Sequence, residues 1–68
     1  MMKARAFEEY AVVRLKRELP GVPVPVGTHG TVLIVYDAAP PAYVVEFMVG
    51  EDSLGHYTLN GADLEEVL

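Results

Sequence analysis

The segment PVGTHGTVLIVYD, residues 25–37, contains a pattern that could bind a phosphate, because two glycines bracket Thr28 and His29. A phosphate-binding glycine loop lies between a strand and a helix, so that backbone N–H groups and the helix dipole meet the anion. Here a proline-rich stretch precedes Gly27, and a run of β-branched residues follows Gly30. The pattern therefore predicts a turn that starts a strand, with both glycines at positive φ.

A second group of reactive side chains lies near the C-terminal end, where Glu51, Asp52 and Ser53 precede His56. A metal site needs three or four converging ligands, and a Ser–His–Asp triad needs the histidine between the other two groups. The spacing matches neither arrangement. We expect residues 50–55 to form a hairpin turn, and we expect no catalytic residue, no metal ligand and no cofactor.

The composition limits the class of protein. The chain has 68 residues, no cysteine and 51% hydrophobic residues, which indicates one folded domain without disulfides or thiolate metal sites. The longest apolar run, residues 32–36, is far shorter than a membrane-spanning helix. The first ten residues lack the apolar segment of a secretory signal. We therefore expect a soluble, cytoplasmic protein that does not enter a membrane.

The net charge of −5 is unevenly distributed, because all five basic residues lie within residues 1–17. Residues 18–68 contain eight carboxylates and no lysine or arginine, which gives this part a charge of −8. A nucleic-acid surface needs a broad basic area. The charge distribution favours a protein partner. A short basic stripe at Arg14, Lys16 and Arg17 leaves nucleic acid as the alternative.

Alternating apolar and polar residues predict five short strands. The chain divides into a short charged lead-in, residues 1–9, and a single domain, residues 10–68. Strands are predicted over residues 10–16, 30–37, 43–49, 56–60 and 65–68, with a tight turn at residues 61–63. These elements predict an all-β fold, a small five-stranded SH3-like barrel with a long proline-rich loop after the first strand.

The proline-rich loop, residues 17–30, contains three prolines and is expected to be extended. Its PGVP segment, residues 20–23, matches the P-x-x-P pattern of ligands for proline-binding domains. Any proline-rich loop produces this match by chance, so the loop is predicted to connect strands rather than to act as a ligand.

The order of several short segments carries a family resemblance. These segments are FEEYAVV, a Leu-Pro pair in the loop, VGTHGTVLIVYD, AYVVEF and LNGADLEEV, and together they cover residues 7–67. In this order they resemble a small bacterial family catalogued as domain of unknown function 4926. The resemblance implies an SH3-like β-barrel with no known activity, so it carries over no catalytic residues. The chain departs from the family at Ala11, Ile34 and Val44, where polar or charged residues are common.

Two of these departures, Ile34 and Val44, lie on two strands whose outward positions are unusually apolar. If Leu33, Val35, Val45 and Phe47 fill the interior, their neighbours in sequence lie on the outer face of the sheet. Burying an apolar side chain is worth about 1.5–3 kcal/mol, so such a face indicates a partner. The candidate interface consists of Val32, Ile34, Tyr36, Val44, Glu46 and Met48.

This face predicts a non-enzymatic protein-interaction module. The partner is another protein, a second copy, or the N-terminal segment of the same chain. The acidic body would suit an antitoxin-like or immunity-like protein. Among the tyrosines, Tyr43 is expected to lie in the core and Tyr57 to be half-buried with its hydroxyl in water, whereas Tyr10 and Tyr36 could equally be half-buried in this way or form part of a binding surface.

Overall fold

The computed structural model describes residues 5–67; residues 1–4 and 68 lie outside the described part. Five antiparallel strands form one sheet in the order β4-β3-β2-β1-β5. The strands are β1 (Val12–Leu15), β2 (His29–Tyr36), β3 (Ala42–Val49), β4 (Asp52–Asn60) and β5 (Leu64–Glu66), with a 3-10 turn (Gly61–Asp63) before β5. Residues 5–67 contain no α-helix, so none could cross a membrane. The all-β prediction is confirmed.

The sheet is open within the described residues. Strand β4 pairs only with β3, and β5 pairs only with β1, so the two edge strands do not meet in a ladder. The predicted closure into an SH3-like barrel is therefore not confirmed.

The core lies on one face of this sheet and also includes residues from outside the strands. The alternation predicted for β1 is confirmed, because Val13 and Leu15 are fully buried. Phe7 is also buried, and its ring meets the Tyr43 ring edge-on with centroids 5.3 Å apart. The predicted lead-in, residues 1–9, thus contributes a core side chain. The buried cluster consists of Phe7, Val13, Leu15, Val24, Val32, Tyr43, Val45, Phe47, Leu59 and Leu64.

A β-bulge in β2 changes which side chains face the core. Val32 pairs with Val45, but the next pair is Ile34 with Val44, so Leu33 is an extra residue in β2. A bulge disturbs the strict alternation of sides along a strand. Val32 is consequently 0% exposed and belongs to the core, so its predicted place in the outer interface is wrong. Leu33 is half-buried rather than part of the core cluster.

The predicted turn over residues 50–55 is also wrong, because β4 already begins at Asp52. Val49 pairs with Asp52, which leaves a two-residue connection that begins with Gly50 at φ +59°. A glycine with positive φ at the first central position is typical of tight hairpin turns. Gly55, at φ +96°, lies inside β4 near a second register shift.

The glycine segment turns the chain into β2, as predicted. Gly27 has φ +92°, and its N–H donates to the Leu15 carbonyl at 2.8 Å. Gly30, in contrast, does not have a positive φ, so that prediction is wrong. Gly30 faces the core, where an added Cβ would lie 2.6 Å from Val45 Cγ1 and 2.8 Å from the Glu46 carbonyl oxygen. Glycine is needed at position 30 because the strands approach closely there.

We therefore expect Gly30→Ala to destabilise the fold by about 2 kcal/mol, since one obstructing atom belongs to the backbone of the neighbouring strand and cannot rotate away. Urea unfolding followed by circular dichroism measures the change. Gly21→Ala is the control, because Gly21 has a positive φ but open space around it. We expect the control to cost only about 1 kcal/mol, from backbone strain. A Gly30→Ala midpoint equal to wild type would contradict the crowded geometry.

Candidate protein-interaction face

The outer face is the side of the sheet opposite the core cluster, and cross-strand pairing defines its rows. Paired residues on neighbouring strands share a face, since side chains alternate along each strand. Three rows cross β2, β3 and β4 in this way. They are Tyr36–Ala42–Asn60, Ile34–Val44–Thr58 and Thr31–Glu46–His56.

One end of the outer face carries an apolar patch, which we define as Ile34, Tyr36 and Val44. The Ile34 side chain is 43% exposed and Tyr36 is 50% exposed. Val44 is 9% exposed although it lies outside the core cluster, because it sits between Ile34 and Thr58 in its row. The structure thus brings together three residues of the predicted interface.

The other end of the outer face is polar and acidic. Glu46 is half-buried and accepts a hydrogen bond of 2.8 Å from the Ser53 hydroxyl. The Ser53 hydroxyl also accepts a hydrogen bond from the Gly55 N–H at 3.2 Å. Met48, which pairs with Ser53, is half-buried too. Glu46 and Met48, both predicted interface residues, therefore lie beyond the apolar patch.

The geometry around Ser53 differs from that of a hydrolase triad. Its hydroxyl bonds to a carboxylate, whereas a serine nucleophile requires a histidine in that position. His56 is instead the cross-strand neighbour of Glu46. In the described part of the chain, no three His, Cys, Asp or Glu side chains are grouped to hold a metal ion.

Carboxylates form ion pairs with two residues of the basic stripe, which consists of Arg14, Lys16 and Arg17. Arg14 Nε lies 2.9 Å from Glu65 Oε1, and Arg17 Nε lies 3.5 Å from Asp63 Oδ1. The hydrogen bond from Arg14 holds the pKa of Glu65 below its usual value. Two of the three basic side chains thus already have acidic partners on the protein itself.

The N-terminal segment is attached to the end of β2 and to the core side of the sheet. Asp37 follows Tyr36 directly, and Arg5 Nε donates to Asp37 Oδ1 at 3.0 Å. This hydrogen bond lowers the pKa of Asp37 and raises that of Arg5. The Ala6 N–H also donates to the Tyr43 hydroxyl at 2.6 Å. Residues 5–7 are therefore held beside the sheet by polar contacts as well as by the buried Phe7 ring.

The tyrosines divide into packed and exposed residues. Tyr43 is 1% exposed, and the half-buried Tyr57 donates its hydroxyl to the Leu54 carbonyl at 3.1 Å. Tyr10 is 74% exposed and has φ +69°, a strained conformation for a bulky residue. Its N–H donates to the Val32 carbonyl at 2.6 Å, so it lies beside β2. Nothing in the sequence around Tyr10 indicated that this tyrosine would have a positive φ.

No family model, curated protein or solved structure matches the chain. The resemblance to domain of unknown function 4926 therefore stays a prediction.

The proline-rich loop forms a shallow groove lined by residues that include Leu19, Val22 and Pro25. A bridge between Leu19 and Val22 closes a turn at Pro20 and Gly21, where Gly21 has φ +78°. A P-x-x-P ligand is extended, so this turn is the wrong shape for one. The outer face is the stronger candidate for a functional surface.

Proposed function

We propose that this chain is a non-enzymatic protein-interaction module that binds another protein through its outer face. The apolar patch is the observation that carries the proposal. Ile34 and Tyr36 expose about half of their side chains in adjacent rows, with Val44 beside them. Contiguous apolar surface is typical of interaction sites, and aromatic residues are enriched among the side chains that contribute most to binding.

The charges near the patch indicate the chemistry of the partner. Glu46 lies at the polar end of the outer face and Glu51 lies in the adjoining hairpin turn, and neither forms an ion pair within residues 5–67. A complementary partner has apolar side chains opposite the patch and basic side chains opposite these carboxylates. An antitoxin-like or immunity-like protein that covers a basic surface would fit this arrangement.

Nucleic acid is the weaker alternative. Arg14 and Arg17 already contact carboxylates, so a phosphate would have to displace Glu65 and Asp63. Binding to phosphates weakens steeply as salt rises, whereas an apolar interface changes little. A salt series with a mixed-sequence oligonucleotide as the probe separates the two classes of partner.

Ile34→Glu is expected to weaken binding to the protein partner by about 100-fold, because an unpaired charge would be buried in the interface. The partner is first captured from an extract of the native host on the immobilised wild-type chain. It is then purified and titrated calorimetrically. Val26→Glu is the matched control, since Val26 is 54% exposed but lies in the proline-rich loop.

The control is expected to bind within about twofold of wild type, as substitutions outside an interface usually do. Equal affinities for the Ile34→Glu variant and the wild type would contradict the proposed face. Equal losses in both variants would show that the added negative charge, rather than its position, determines binding.

A further inference from the structure

Strand β4 leaves a long edge of the sheet without a neighbour in the described structure. The other edge strand, β5, has only three residues, and two of them are glutamates. Proteins commonly protect sheet edges by short strands, charges, prolines or bulges. The first half of β4 has such protection in Asp52 and in the irregularity near Gly55. The second half, residues 56–60, has no carboxylate, lysine or arginine, no proline and no register shift.

The hydrogen bonds of β2 determine which backbone groups point to this edge. The Val32 N–H donates to the Ala11 carbonyl at 3.0 Å, and the Val32 carbonyl accepts from the Tyr10 N–H at 2.6 Å. Both groups of Val32 therefore point toward β1 and away from its β3 partner, Val45. In an antiparallel sheet, the groups of Val45 must then point the other way, toward Tyr57 of β4.

Hydrogen-bonded and non-hydrogen-bonded pairs alternate along the ladder. Tyr57 and Leu59 therefore direct their backbone groups to β3, whereas His56, Thr58 and Asn60 direct theirs outward. The side chains of these last three residues are all exposed and lie on the outer face. The free edge thus offers a row of backbone donors and acceptors with which a second extended chain can pair.

From this row we infer that β4 pairs with β4 of a second copy, antiparallel and with Thr58 opposite Thr58. This register places His56 of each copy opposite Asn60 of the other, so it uses all three outward-facing residues. Thr–Thr pairs are favourable across strands, and the register places no acidic residue opposite another. The arrangement has twofold symmetry, in which the same surface contributes on both sides. The edge is therefore self-complementary despite the net charge of −5.

The inference goes beyond the proposed function and does not depend on it. Pairing through β4 would make a continuous ten-stranded sheet with both outer faces on the same side. The two apolar patches would then lie on one surface. Because edge pairing over five residues buries less than a stable interface of about 1,200 Å2, the dimer is expected to form only at high concentration.

Amide hydrogen exchange measured by NMR at micromolar and millimolar protein concentration tests the pairing. The amides of His56 and Thr58 are expected to exchange rapidly in the dilute sample and at least about tenfold more slowly in the concentrated one. The amides of Tyr57 and Leu59 should be slow in both. Sedimentation equilibrium should show the mass rising from 7.4 kDa toward twice that value over the same range.

Thr58→Pro should abolish the rise in mass, because proline removes an N–H that β3 does not use. Thr58→Val retains this N–H and should still dimerise. Ile34→Glu should dimerise too, which separates edge pairing from association through the apolar patch. If Thr58→Pro does not fold, the hydrogen-exchange measurements on the wild-type chain at the two concentrations determine whether β4 pairs with a second copy.

Several results would overturn the inference. A slow Thr58 amide in the dilute sample would mean that the edge is already paired within one chain. A constant mass with unchanged exchange would mean that the edge stays unpaired. Protection that develops only when another protein is added would assign the edge to a different partner. Loss of the dimer in the Ile34→Glu variant would place the contact on the apolar patch.

Discussion

Val32→Asp is expected to unfold the domain, whereas Ile34→Asp is expected to leave it folded. Simple alternation would place these two residues on the same face, but the bulge at Leu33 separates them. Val32 is 0% exposed and Ile34 is 43% exposed. A buried, unpaired carboxylate costs more than about 4 kcal/mol, close to the whole stability of a small domain. A carboxylate at position 34 remains in water.

Circular dichroism and urea unfolding measure both variants under the same conditions. For Ile34→Asp we expect a loss of less than about 1 kcal/mol, typical of substitutions at a partly exposed site. Val32→Ala serves as the control, since it truncates the side chain without adding charge and should cost about 2 kcal/mol. A folded Val32→Asp variant would mean that Val32 faces outward and that β2 has no bulge.

Phe7→Ala is expected to destabilise the domain by about 3–4 kcal/mol, because it removes a buried ring from the core. The ring packs edge-on against Tyr43, whose hydroxyl is also held by the Ala6 N–H. The loss therefore loosens the attachment of residues 5–7 to the sheet. Thermal and urea unfolding measure the change.

Glu9→Ala is the matched control for Phe7→Ala, because Glu9 is an exposed residue of the same segment. Its unfolding midpoint should stay close to that of wild type. Equal midpoints for the two variants would show that the segment before β1 does not contribute to the core.

The sequence predicted the faces of β1 and most of β3 correctly, because polar residues mark the outward positions there. Arg14 lies between Val13 and Leu15, and Glu46 lies between Val45 and Phe47. When apolar and polar residues alternate strictly, only one orientation of the strand buries the apolar side chains and leaves the polar ones in water.

The apolar run of β2 carries no such marker. Residues 32–36 include no charged side chain, so the sequence cannot show where a bulge reverses the alternation. The prediction therefore placed Ile34 and Tyr36 correctly on the exposed face and Val32 wrongly beside them. Phe7 was missed for another reason, since a single aromatic residue has no periodicity that could indicate burial.

The roles of Gly30 and of the β4 edge depend on contacts between strands. A pair of glycines in the sequence indicates a turn, but it does not show whether each glycine is needed for a positive φ or for close approach of a neighbouring strand. For Gly30, the position of Val45 on the neighbouring strand shows that close approach is the reason. The direction of the Thr58 N–H likewise follows from hydrogen bonds two strands away, at Val32. Neither property can be read from local sequence.

Methyl NMR of the chain, free and bound to its captured protein partner, tests the proposed interaction face most directly. The methyl signals of Ile34, Val44 and Met48 are predicted to shift on binding. Those of Val26, in the proline-rich loop, should stay unchanged. Shifts confined to the loop, with the outer-face methyl signals unaltered, would contradict the account and place the interface on the groove formed by the loop.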